Sequence, residues 1–125
     1  MTSLDVKKTK SSPALWYDPG RGLLGIIGES YPENSFEFYA PLFAWLQANL
    51  PALPALRLEV NVPYMNSSST KCMLDLLDLL EAAHAAGKRV ELDWYYDRDN
   101  PRALDLAEEF REGCGFPFRV AAVEG

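Results

Sequence analysis

Four consecutive hydroxyl side chains, Ser67-Ser68-Ser69-Thr70, stand between Asn66 and Lys71 in this 125-residue chain. They are the residues best placed to carry chemistry, because a hydroxyl can attack an acyl or phosphoryl centre, bond a ligand, or receive a phosphoryl group. The first of these needs a base. The only histidine is His84, and if the intervening segment is helical it stands roughly 25 Å along the axis from Ser67, too far to activate it. His84 is also in phase with Met73, Leu77 and Leu80, which marks it as a packed or boundary side chain. No G-x-S-x-G turn, phosphate-cradling glycine loop or zinc spacing is present, so catalysis by this chain alone is not expected.

The flanking elements decide what the hydroxyls can do instead. Leu56, Leu58, Val60 and Val62 alternate with Arg57, Glu59 and Asn61 as in a half-buried strand that ends near Pro63. Beyond the hydroxyls, Met73, Leu76, Leu77, Leu80 and Ala83 recur at helical spacing, with Lys71, Asp75, Asp78 and Glu81 largely on the other side. Asn66 is the natural N-cap, accepting from the N–H of Ser68 or Ser69, which puts Ser67 at the first helical position pointing outward. Helices favour Asp or Glu in that first turn, yet here only neutral hydroxyls and then Lys71 are supplied. A phosphate would fill the vacant negative position, adding roughly −1.5 to −2 charges beside unpaired N–H groups with Lys71 in reach. Plain Ser/Thr capping is the competing reading of the same residues.

A second motif, Gly28-Glu29-Ser30-Tyr31-Pro32-Glu33-Asn34-Ser35, adds to the first. Together with Tyr64-Met65-Asn66-Ser67-Ser68-Ser69-Thr70-Lys71, Leu74-Asp75-Leu76-Leu77-Asp78-Leu79-Leu80-Glu81 and Trp94-Tyr95-Tyr96-Asp97, it resembles the SiaC-like regulatory phosphoproteins of bacteria over residues 12–120. The resemblance implies a fold similar to anti-sigma-factor antagonists, phosphorylated on a hydroxyl at a helix start by a dedicated Ser/Thr protein kinase of histidine-kinase-like ATPase fold. A PP2C-type phosphatase would reverse the mark. The unphosphorylated form would bind and activate an effector, a diguanylate cyclase in the best-known system, linking the switch to cyclic di-GMP and biofilm formation. The family pattern is Asn followed by a phosphoacceptor Thr. Asn66 and Ser67 occupy those positions, so Ser67 inherits the role, with Ser68 as second choice because the change from Thr to Ser leaves the choice among neighbouring hydroxyls open.

Composition fits a small switch. With 48% hydrophobic residues, 125 residues suffice for one core and no second domain. A net charge of −6 excludes the basic stripe of a nucleic-acid binder and points to basic partners. Cys72 and Cys114 form neither a metal spacing nor a disulfide framework, which suits a reducing, cytoplasmic setting; no cofactor is implied. Residues 1–12 are polar, with Lys7, Lys8 and Lys10 and no apolar signal region, and read as a flexible tail before a domain over 13–125. Residues 38–56 lack formal charge, but Pro41, Pro51, Pro54, Gln47 and Asn49 break a membrane-spanning reading.

The remaining elements complete an α/β pattern. Strands over 13–17 and 22–27 flank the turn Asp18-Pro19-Gly20-Arg21 as an antiparallel hairpin. Asn34 and Glu37 cap a helix with Phe36, Tyr39, Phe43, Leu46 and Leu50 along it, its start kinked or irregular at Pro41. The central helix runs from Ser67 to about Ala86 and stops at Gly87, a strand follows over 89–95, then a helix from Asn100 to Phe110 closed by Gly113, and a strand over 116–123. With the resemblance this gives a STAS-like single domain, a mixed, mostly parallel sheet of about five strands with about three helices. If the strands before Gly28 and Asn66 run parallel, both loops emerge at one edge. Glu29, Ser30, Tyr31, Pro32, Glu33, Asn34, Asn66, Ser67, Ser68, Ser69 and Lys71 would then form one partner-binding surface. The alternatives are a STAS-like module that binds a small ligand or nucleotide through the same edge without a phosphoswitch, and a purely structural subunit. A ligand that stabilises the protein independently of phosphorylation would mark the former, and indifference of every partner to substitution of residues 67–69 the latter.

Overall fold

The computed structural model describes residues 3–124. β1 (Asp5–Val6), β2 (Ala14–Asp18) and β3 (Leu23–Ile27) form an antiparallel meander. The chain then alternates: α1 (Ser35–Asn49), a short 3-10 turn (Leu50–Ala52), β4 (Ala55–Asn61), α2 (Ser67–Ala85), β5 (Arg89–Asp97), α3 (Pro101–Glu112) and β6 (Phe118–Val123). The strands lie in sequential order, β3 to β6 mutually parallel. With right-handed crossovers between successive strands, sequential order puts all three helices on one face. The strand residues facing them, among them Leu24, Ile26, Leu58, Val60, Leu92 and Trp94, share one buried cluster with Leu42 and Leu46 of α1 and Leu76 and Leu80 of α2.

The α/β class and mixed sheet are as expected, and the hairpin turn is closed by Asp18, whose side chain accepts from Gly20 N at 2.9 Å and holds Arg21 Nε at 2.7 Å. The sheet has six strands; the addition to the expected set is β1. It departs from the flexible tail expected over 1–12: Asp5 and Val6 pair with β2, and Leu4 is buried with its carbonyl accepting from Tyr17 N at 3.1 Å, while residues 7–10 are exposed. Met1 and Thr2, the rest of the expected tail, and Gly125 at the end of the expected domain lie outside the described residues.

Pro41 lies within one continuous helix. The core face of α1 also differs from the expected line, since Tyr39, Leu42, Trp45 and Leu46 are buried while Phe36 is exposed. Gly87 ends α2 at φ +99°, a conformation that only glycine adopts cheaply. Among the described residues no helix is long and apolar enough to cross a membrane.

The helix starts at the sheet edge

Parallel β3 and β4, with Ile27 opposite Asn61, release their following loops side by side. The loops are zipped by backbone hydrogen bonds: Gly28 N to Asn61 O at 2.9 Å, Ser30 N to Tyr64 O at 2.8 Å and Asn66 N to Ser30 O at 2.9 Å. The two motifs therefore adjoin, as the parallel arrangement predicted. Gly28 makes the turn at φ +128°, and a Cβ there would stand 3.2 Å from the Pro13 backbone. The N-terminal segment adds a third contact, Ser11 O accepting from Tyr31 N at 2.7 Å.

Each loop ends in an Asn that starts a helix. Asn34 Oδ1 accepts from Glu37 N at 3.1 Å and Asn66 Oδ1 from Ser69 N at 3.0 Å, each satisfying one of the free donors of a first turn. The first turn of α2 holds no acidic residue, so its positive dipole end is uncompensated by charge.

Between the two starts runs a chain of hydroxyls. Tyr39 OH lies 2.6 Å from Ser30 Oγ, Ser30 donates to Ser69 Oγ at 2.8 Å, Ser69 lies 3.0 Å from Ser35 Oγ, and Ser68 donates to Ser35 Oγ at 2.8 Å. The chain leads from the core to the surface, and its members satisfy one another where water is excluded. Burial pushes the Tyr39 phenol up to about 12; its hydrogen bonds to Ser30 and Ser69 oppose that shift and the nearby Cys72 adds to it.

These contacts sort the four hydroxyls of the run. Ser69 is buried within the chain, Ser68 is half-buried and engaged with Ser35, and Thr70 Oγ1 donates to Asn66 O at 3.1 Å. Ser67 is exposed and its side chain makes no hydrogen bond among the described residues. Lys71, offered as a phosphate partner, stands 3.6 Å from Asp75 one turn on.

Of the expected surface, Glu29, Glu33 and Asn34 are exposed, Tyr31, Pro32, Asn66 and Ser68 half-buried. Ser30 and Ser69 are corrected: both are internal, at 0% and 1% exposure, because their hydroxyls serve each other and Tyr39 rather than a partner. Ser35 and Tyr39 were not singled out for the site. A signal existed in the repeat of Asn-Ser at both helix starts, Asn34-Ser35 and Asn66-Ser67. The large hydrophobics that remain exposed among the described residues are Phe36, Tyr64 and Leu74. Phe36 follows Ser35, Tyr64 precedes Asn66 by two positions and meets Tyr31 edge-on at 5.9 Å, and Leu74 is two turns along from Ser67 on the same helical face.

The fold and this edge define a two-layer α/β domain, a mixed sheet with three helices, in which two Asn-capped helix starts lie side by side. The chain belongs to the SiaC family of regulatory phosphoproteins, whose model matches residues 6–123. It is 46% identical over 123 residues to an uncharacterised protein of Pseudomonas aeruginosa strain UCBPP-PA14, covering 98% of each chain. Among solved structures it superposes on SiaC of Pseudomonas aeruginosa with a TM-score of 0.90 at 44% identity, covering 98% of this chain and 100% of that one. It matches equally the SiaC chain bound as activator to the diguanylate cyclase SiaD of that organism, with a TM-score of 0.91 at 45% identity over 96% of this chain and 99% of the other.

Proposed function

We propose that this chain is the switch component of a cytoplasmic partner-switching module and acts by binding rather than by catalysis. Ser67 is the phosphoacceptor, a Ser/Thr kinase of histidine-kinase-like ATPase fold adds the phosphate, and a PP2C-type phosphatase removes it. The unphosphorylated form binds and activates an effector, a diguanylate cyclase, so that the mark controls cyclic di-GMP. The observation that carries this reading is the sorting of the run: only Ser67 has a hydroxyl both exposed and uncommitted. The related SiaC was captured with a diguanylate cyclase, which supports the effector class.

The helix start welcomes the phosphate, by about 0.3–1 kcal/mol for an exposed anion, so the fold is kept. Docking changes because about two negative charges brought into a close interface must be desolvated or paired. The surrounding loop already carries exposed Glu29 and Glu33. Phe36, Tyr64 and Leu74 supply the apolar contact around Ser67. Phosphopeptide mapping after coexpression with the kinase and calorimetry against SiaD of Pseudomonas aeruginosa test the reading together. Phosphate on Ser67 and loss of cyclase binding on phosphorylation are expected. Modification confined to Thr70, or equal affinity of the two forms for the cyclase, refutes it.

A further inference from the structure

Among the described residues no element covers the sheet face opposite the helices, and most of its charges are matched. Asp5 pairs with Lys7 at 3.2 Å, Asp18 with Arg21 at 2.7 Å, and Glu91 with Arg119 at 3.1 Å. Asp93 is held twice, by Arg119 at 2.6 Å and Arg57 at 3.7 Å. Asp97, at the end of β5, accepts from Asp99 N at 2.9 Å. Arg89, at the exposed start of β5, is in none of these pairs, and neither is Glu59. Glu59 lies on central β4, half-buried, and among the described residues its carboxylate has neither a cation nor a hydrogen bond. Its neighbour across the parallel ladder, Asp93, is already met by Arg119 and Arg57, so the unmatched charge here is that of Glu59 alone. Glu59 and Asn61 line a depression of about 290 Å³ together with Ile27, Tyr95 and Val123.

We propose that this depression receives the guanidinium of an arginine carried by a partner protein. The chemistry selects that group. A carboxylate and a side-chain amide oxygen two residues apart on one strand point to the same face and suit the planar fork of arginine, which donates to both at once. The half-buried Tyr95 ring offers an aromatic surface on which that plane stacks. An ammonium would meet Glu59 as a point charge and use neither the second acceptor nor the ring as well. The shape selects the carrier. The depression is shallow, so a free cation would keep most of its hydration and gain only an exposed ion pair, which is worth little. An arginine on a protein brings a surface that excludes water, and the surrounding ion pairs form the polar rim such an interface needs. The proposal does not depend on Ser67 and concerns a different face of the molecule.

The test is a titration of the 15N-labelled chain with N-acetyl-arginine methylamide at fixed ionic strength, read by amide chemical shifts. Saturable shifts centred on Ile27, Glu59, Asn61 and Tyr95 are expected, in the millimolar range for the free compound. The citrulline analogue, equal in shape but uncharged, should leave them unmoved. Glu59→Gln should weaken binding of the free compound about threefold, the worth of one exposed ion pair, with a thermal melt confirming that the variant is folded. Shifts that the citrulline compound reproduces, that survive Glu59→Gln, or that do not appear at all overturn the site. Micromolar affinity for the free compound overturns the protein carrier and makes the depression a small-molecule site.

Discussion

Replacing Ser69 and Ser67 separately by Ala separates the internal hydroxyls from the external one. Ser69 Oγ bonds Ser30 at 2.8 Å and Ser35 at 3.0 Å and is 1% exposed. Its removal costs two buried hydrogen bonds at about 0.5–1.5 kcal/mol each. Neither neighbour is orphaned, since Ser30 retains Tyr39 at 2.6 Å and Ser35 retains Ser68 at 2.8 Å, so no full desolvation penalty is added. The better helix propensity of Ala returns up to about 0.5 kcal/mol. The net expectation for Ser69→Ala is a loss of about 0.5–2.5 kcal/mol. At about 4 °C per kcal/mol for a chain of this size, Tm falls by about 2–10 °C. Ser67→Ala removes an exposed hydroxyl without partners and should stay within about 0.5 kcal/mol. Urea unfolding with a common m-value, checked by calorimetric melts, reads both. Equal losses for the two variants, or none for Ser69→Ala, would refute the division between a structural hydroxyl chain and a free acceptor.

Tyr39 gives the chain a pH signature: its folded phenol titrates at about 12 against an ordinary value near 10, so its contribution is complete below pH 10 and lost as pH rises through 12. Unfolding followed between pH 9 and 12 should therefore show a weaker alkaline decline in Tyr39→Phe than in the parent. Gly28→Ala forces a side chain into φ +128° and to 3.2 Å from the Pro13 backbone, costing about 1–3 kcal/mol and loosening the contact between Tyr31 N and Ser11 O, which amide exchange will report. Gly25→Ala drives a methyl into the Trp16 ring, 2.1 Å from the nearest carbon, and should shift Trp16 fluorescence along with a loss of about 1–3 kcal/mol. Burial raises both thiols, Cys114 to about 11 with Glu81 and Asp78 adding to the shift, so alkylation by iodoacetamide at pH 7.5 should be much slower than for a free thiol, and fast labelling of Cys114 would contradict its placement.

What local chemistry dictates was legible. Asn34, Asn66 and Asn100 each cap the helix they precede, and the line Met73, Leu76, Leu77, Leu80 is the buried face of α2. What required the third dimension was not. β1 is two residues long and its segment offers Leu4 and Val6 among lysines and hydroxyls, so no period marks it; β2 and the core beneath supply its stability. In α1, Phe36, Tyr39, Phe43 and Leu46 form one helical line that runs on to Leu50, but Leu42 and Trp45 form another beside it. A helix apolar on most sides does not announce which line faces the sheet. Ser30 and Ser69 were read outward because hydroxyls favour water, a preference that yields when each finds a partner in the core.

On the function proposed above, the arrangement of caps and hydroxyls would let phosphate on Ser67 be read without a change of fold. α1 and α2 begin beside each other, each capped by its own Asn and joined through Ser35 and Ser69. The backbone bonds between the two loops hold the same register from below. Such a unit is over-determined, since severing one hydroxyl contact leaves the caps and the ladder in place. Ser67 stands outside it, sharing the helix start but none of the internal bonds. A charge placed there meets backbone donors on its own first turn and alters the potential over Phe36, Tyr64 and the loop carboxylates, while the contacts that position those groups are unaffected. A chain that instead used Ser69 would have to break Ser30 and Ser35 contacts to expose its acceptor, coupling the signal to the core. The separation of one exposed hydroxyl from the bonded set behind it is what would suit this edge to the reversible mark proposed for it.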